Sequence, residues 1–91
     1  MAISKDEAIQ KARTDLAGRL GISEDKIGQP SVEDADFPDT ALGAATKDEM
    51  SGQMITSGWR ISFPANGRKY EYRANKNQVR LFNYKGSNHK I

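Results

Sequence analysis

Four carboxylates fall within seven positions, Glu33, Asp34, Asp36 and Asp39, and they are the densest set of oxygen ligands in the chain. Oxygen donors at that density suit calcium, although the order of ligands around a central glycine that marks an EF-hand loop is missing. On a strand, Asp34 and Asp36 share a face, which is the arrangement a pair of acid and base carboxylates would need. The sequence holds one histidine, His89, and no cysteine. A triad needs a nucleophile beside a base that a carboxylate orients, and imidazole or thiolate metal sites need several such ligands. His89 lies in a polar tail, residues 85–91, that reads as frayed and could not hold a base in place. None of the eight glycines falls into a phosphate-cradling spacing. The residues therefore name no catalytic centre, no cofactor and no metal, and the acidic segment 33–39 is left as a remote calcium or catalytic reading.

A second constellation is basic. Arg60, Arg68, Lys69, Arg73 and Arg80, with Lys76 and Lys85, interleave with Tyr70, Tyr72, Phe82 and Tyr84. Cations alternating with aromatic rings are the ingredients of a sheet on which single-stranded nucleic acid stacks, so residues 60–85 form an alternative binding face. The ribonucleoprotein sequence motif is absent, and rings on a sheet covered by a helix normally belong to its core. Charge is split along the chain. Residues 1–50 carry 6 Lys/Arg and 11 Asp/Glu, a balance of −5, and residues 51–91 carry 8 and 1, a balance of +7, which together give the net +2. The two halves can neutralise each other if they fold side by side.

The third candidate is irregular. Residues 38–52 are small and polar and lack a sustained period, and loops longer than about 12 residues in compact domains are functional or disordered. A loop that fits a partner's cleft needs a side chain to fill a pocket. Leu42 and Met50 are the candidates, supported by Phe37 and Trp59, with Pro38, Asp39 and Gln53 completing the contact. The leading expectation is a non-enzymatic module that binds a protein, a protease being one such partner, through this loop. Nucleic acid is the runner-up.

These groups must be positioned by a small scaffold. Ninety-one residues allow one domain, and a chain of this length supports about one helix on one sheet. Ser4 and Glu7 make a capping box, Ile9, Ala12, Leu16 and Leu20 recur at helical spacing, and Gly21 follows as a C-cap, so a helix is predicted over residues 4–20. Residues 22–27 read as a single helical turn, and residues 30–37 as an edge strand kept soluble by charge. Ile55, Trp59, Ile61 and Phe63 alternate inward along a strand, Asn66-Gly67 turns it, and Tyr70 and Tyr72 return. A second turn at residues 75–77 leads to Val79 and Leu81 on one side and Phe82 and Tyr84 on the other. The expected fold is α+β, an N-terminal helix on a three- or four-stranded antiparallel meander over residues 53–84. No apolar run reaches 18 residues and the N-terminus shows no export pattern, which places the chain in the cytoplasm as a monomer or weak dimer.

Phe37-Pro-Asp-Thr-Ala-Leu-Gly43, Gln53-Met-Ile-Thr-Ser-Gly-Trp-Arg-Ile61 and Gly67-Arg-Lys-Tyr-Glu-Tyr-Arg73 together resemble a set of small bacterial proteins of unassigned function. The resemblance covers most of the chain and implies exported or lipoprotein relatives. Those often carry Trp-Pro-Asp and Leu-Gly-Cys-Pro, where this chain has Phe37 and Ala44-Ala45, so a disulfide they form has no counterpart here. The order of helix then meander is also similar to the cystatin and PepSY-type arrangement of protease inhibitors and restraining propeptides. Gln53-Met-Ile-Thr-Ser-Gly58 comes one residue short of the cystatin Gln-x-Val-x-Gly loop, and plain strand alternation is the preferred account, because Ile55 fits the inward face that Trp59 and Ile61 share.

Overall fold

The computed structural model describes residues 2–91. Helix α1 spans Lys5–Leu20. Ser4 caps it, with its hydroxyl accepting from the Glu7 N–H and the Glu7 carboxylate accepting in return from the Ser4 N–H, each at 3.1 Å. Gly21 closes the helix in the left-handed region, at φ 68°, where its N–H reaches the Ala17 carbonyl. A short 3-10 turn, Glu24–Lys26, then leads into the sheet.

Five antiparallel strands follow in chain order, β1 (Ser31–Phe37), β2 (Thr56–Ala65), β3 (Arg68–Asn75), β4 (Gln78–Tyr84) and β5 (Ser87–Lys90), each pairing with the next. The architecture is α+β, with one N-terminal helix on an antiparallel meander. The expected three or four strands become five, because the tail read as frayed pairs with β4, bringing His89 opposite Leu81 and the Ile91 N–H onto the Val79 carbonyl at 3.1 Å. A polar strand at a sheet edge leaves no hydrophobic alternation to read, and so residues 85–91 resemble an unpaired end in sequence.

One sheet face carries Ile61, Phe63, Tyr72, Ala74, Val79 and Leu81, and α1 covers it with Ala8, Ala12, Leu16 and Ala17. Ile9 and Leu20, from the predicted helical row, border this core half-buried. The Tyr72 ring is fully buried and meets Phe63 edge-on, and its hydroxyl donates to Asp15 at 2.8 Å. Burial first, and then the carboxylate it faces, push this phenol's pKa well above its ordinary value.

Two side-chain directions differ from the expected alternation. Ile55 does not join the inward row: Phe37 pairs with Thr56, the register runs no further, and β2 starts there. Ile55 is left 74% exposed. Phe82 and Tyr84 do not share a face either. The β4–β5 register shifts between Leu81 and Tyr84, and Asn83 takes φ 54°, so Tyr84 swings to the helix side beside Tyr70 and Arg19.

Candidate functional site

The sheet's second face is not open. Residues 38–52 fold back across it as a strap, and residues 41, 42 and 44, all apolar, are buried beneath it. The strap forms because its backbone polar groups find partners locally. Asp39 Oδ1 accepts from the N–H groups of Ala41 and Gly43 at 2.9 Å each, which bends the chain through left-handed Leu42 (φ 60°) and Gly43 (φ 66°). Thr40 and Gly52 latch the base: the Thr40 N–H reaches the Gly52 carbonyl at 3.0 Å, and the Gly52 N–H reaches the Thr40 hydroxyl at 2.7 Å.

Two arginines, Arg73 and Arg80, hold the strap to the sheet, and Arg60 extends their row. Arg60 lies opposite Arg73, and Arg73 opposite Arg80, so they form a single row across β2, β3 and β4. Adjacent like charges repel, and each needs a counter-charge. Arg60 takes Glu33 at 2.7 Å and Glu71 at 3.4 Å, with Glu33 the main cause of a pKa raised even above the usual arginine value. Arg73 takes Glu71 at 2.7 Å, stacks 3.7 Å from the centre of the Phe82 ring, and donates to the Leu42 and Gly43 carbonyls at 3.1 and 3.2 Å. Arg80, only 3% exposed, donates to the Ala44 carbonyl and grips both oxygens of Glu49. Those bonds from Arg80 are the first cause of a Glu49 pKa lowered to about 2. Gly58 belongs to the same assembly, since a Cβ there would run into the Ala74 carbonyl and press on the Phe37 ring.

This geometry separates the predicted contact residues. Phe37 (1% exposed) and Leu42 (0%) are core of the strap, and Asp39 is its turn-former. Leu42 therefore cannot fill a partner's pocket; its burial, together with the arginine grip on its carbonyl, corrects that expectation. Pro38 is exposed at the strap's start. Met50 is 96% exposed and Gln53 is exposed, while Trp59 is half-buried. Beyond the latch, Met54 (65%) and Ile55 (74%) also stand in solvent. With Trp59, Asp34, Asp36 and the turn at residues 75–77 they line an open groove of about 800 Å³. Sequence reasoning placed Met54 and Ile55 inside a strand. The signal that could have freed them is that residues 53–55 lie beyond the reach of β1, once Pro38 ends it.

The basic residues divide too. Arg73 and Arg80 are committed to the strap and Arg60 to Glu33 and Glu71, so the continuous basic sheet face of the sequence does not exist as a surface, and only Arg68 and Lys69 of the five remain exposed, at the β2–β3 turn. The acidic residues point to separate partners: Glu33 to Arg60, Asp34 to Lys5 at 3.7 Å, Asp36 to the Ser57 hydroxyl at 2.9 Å, and Asp39 to its own turn. Among the described residues no group of three or more His, Cys, Asp or Glu side chains converges as metal ligands would. No helix among them is long and apolar enough to cross a membrane.

A helix on one face and an arginine-held strap on the other define a small three-layered α+β domain. Residues 9–82 match the family model described as "Domain of unknown function (DUF8738)", and the chain belongs to that family. No curated protein and no solved structure matches it.

Proposed function

We propose that this domain is a non-enzymatic module that binds a protein through residues 50–55 and the groove beside Trp59. The observation that carries the reading is that Met50, Met54 and Ile55, the large hydrophobic side chains left exposed among the described residues, all fall in six consecutive positions. Exposed apolar side chains are ordinary when scattered and informative when gathered next to a concavity. The strap latch at Gly52 and the start of β2 at Thr56 pin the segment that carries Met54 and Ile55, which limits the ordering cost on binding. Asp34, Asp36 and Lys76 line the groove beside its apolar residues, and such mixed charge favours a partner segment with polar residues flanking an apolar one.

Protease inhibition is the narrower form of the same reading. The likeness of the helix-then-meander order to cystatin and PepSY-type domains supports it, with Met50 in place of Leu42 as the side chain for a cleft. The test uses the whole domain, immobilised, against lysate and a protease panel. Partners captured by the wild type are expected to be lost by a Met50→Ser, Met54→Ser, Ile55→Ser variant that melts at the wild-type temperature. Retention of every partner by that variant would end the proposal, and partners captured without any protease inhibited would end its narrower form.

A further inference from the structure

The other end of the sheet, where β2 turns into β3, carries a second concavity of about 540 Å³ that shares no lining residue with the groove. Four cations line it from three separated parts of the chain: Arg19 near the end of α1, Arg68 and Lys69 after the β2–β3 turn, and Lys85 in the β4–β5 turn. Arg19 is neutralised by Asp15 at 2.7 Å. Among the described residues no carboxylate lies within 4.0 Å of Arg68, Lys69 or Lys85, and all three are exposed. The one acidic side chain in the lining, Glu71, is taken up by Arg60 and Arg73. Half-buried Tyr70 and Tyr84, with ring centres 6.0 Å apart, form an aromatic wall of the same concavity.

From this juxtaposition we infer that the basic end is a binding site for single-stranded nucleic acid, independent of the protein-binding groove. Three cations without a carboxylate partner on two adjacent turns can each meet a phosphate of a flexible strand, and Tyr70, beside a Tyr84 ring that Arg19 and Lys85 already approach, offers a face for one base. The tips of turns admit a bent single strand without needing a groove-shaped helix partner. Like the arginines of the Arg60, Arg73 and Arg80 row, these cations line one concavity, but no carboxylate screens them; an anionic ligand would relieve their repulsion.

The experiment is fluorescence anisotropy of a labelled twelve-nucleotide oligothymidine with the full chain. Saturable binding at 50 mM salt is expected, weakening roughly 20-fold by 200 mM if about three phosphates are neutralised. An Arg68→Glu, Lys69→Glu variant should abolish binding at both salts, and Tyr70→Leu should weaken it at least about fivefold at an unchanged salt slope, melting curves verifying that each variant is folded. Met54→Ser with Ile55→Ser should leave it unaltered, which separates this site from the groove. Absence of saturable binding overturns the inference. So does equal affinity for a duplex or for a sulfated polysaccharide, or indifference to the Arg68 and Lys69 reversal, since each would leave only non-specific attraction of a basic protein for polyanions.

Discussion

The two faces of this sheet are closed by opposite means. On one, α1 lays apolar side chains onto Ile61, Phe63, Tyr72, Val79 and Leu81, and cohesion comes from area removed from water. On the other, the strap is held largely by guanidinium groups reaching main-chain oxygens and one carboxylate, with Phe37, Leu42 and Phe82 filling between them. The first kind of contact is non-directional and cooperative; the second depends on angle and protonation. A cover of the first kind comes off only with the fold, whereas one of the second kind can loosen while the sheet persists.

Leu16→Ala tests that difference most severely. Leu16 is fully buried under α1, and its truncation should cost about 3 to 5 kcal/mol, a large share of the roughly 5 to 10 kcal/mol expected for a domain of this size. Urea unfolding followed by circular dichroism should show the whole transition moving. A loss confined to the helix, with the sheet intact, would contradict the cooperative picture. Glu49→Gln strikes the other face. It leaves Arg80 buried against a neutral partner, and the expected loss is about 2 kcal/mol, read as faster amide exchange at Ala44, Glu49 and Gly52 with little change at Val79 or Leu81. Uniform acceleration across both faces would show that strap and core open together.

Acid titration sharpens the same contrast without mutation. The Glu49 carboxyl is lowered from 4.5 to about 2, so its contribution is whole above pH 4.5 and drains away as pH falls toward 2. Over that window the strap should lose roughly 1 to 3 kcal/mol of support, seen as rising exchange in residues 40–52, and Glu49→Gln should remove this pH dependence. The smallest effect belongs to the exposed segment. Met54→Ser with Ile55→Ser should alter unfolding free energy by less than about 0.5 kcal/mol, since neither side chain is buried, and a larger loss would show these residues packing in a way their exposure denies.

What could be read in the sequence follows the same division. The helix-facing side announces itself through period: Ala12 and Leu16 at helical spacing, Ile61 and Phe63 at strand spacing, the capping box at Ser4 and the Asn66-Gly67 turn. The strap leaves no period to detect, because its structure rests on Asp39 bending two left-handed residues and on arginines 30 or more positions away. Spacing rules act over short distances, and cross-strand rows such as Arg60, Arg73 and Arg80 emerge only once register is known. For the same reason nothing in the sequence brings Arg19, Arg68 and Lys85 together, and Leu42, an apolar residue in a polar loop, reads as a contact although it is an anchor.

A grip on carbonyl oxygens reads the path of a chain and is blind to its lettering. Arg73 and Arg80 reach the oxygens of Leu42, Gly43 and Ala44, so side-chain identity counts only where a side chain or a special backbone is used: Thr46 bonds Glu49, Asp48 sits at φ 67°, and exposed Lys47 between them is free to drift in kind so long as that path is kept. Gly43 is the exception that enforces it: its left-handed backbone favours glycine, and a methyl group there would lie 2.6 Å from the Arg73 guanidinium. Divergent copies of this domain should thus keep Arg73, Arg80 and this glycine while the strap's tip at Lys47 changes, which makes that tip the natural place to graft foreign peptide.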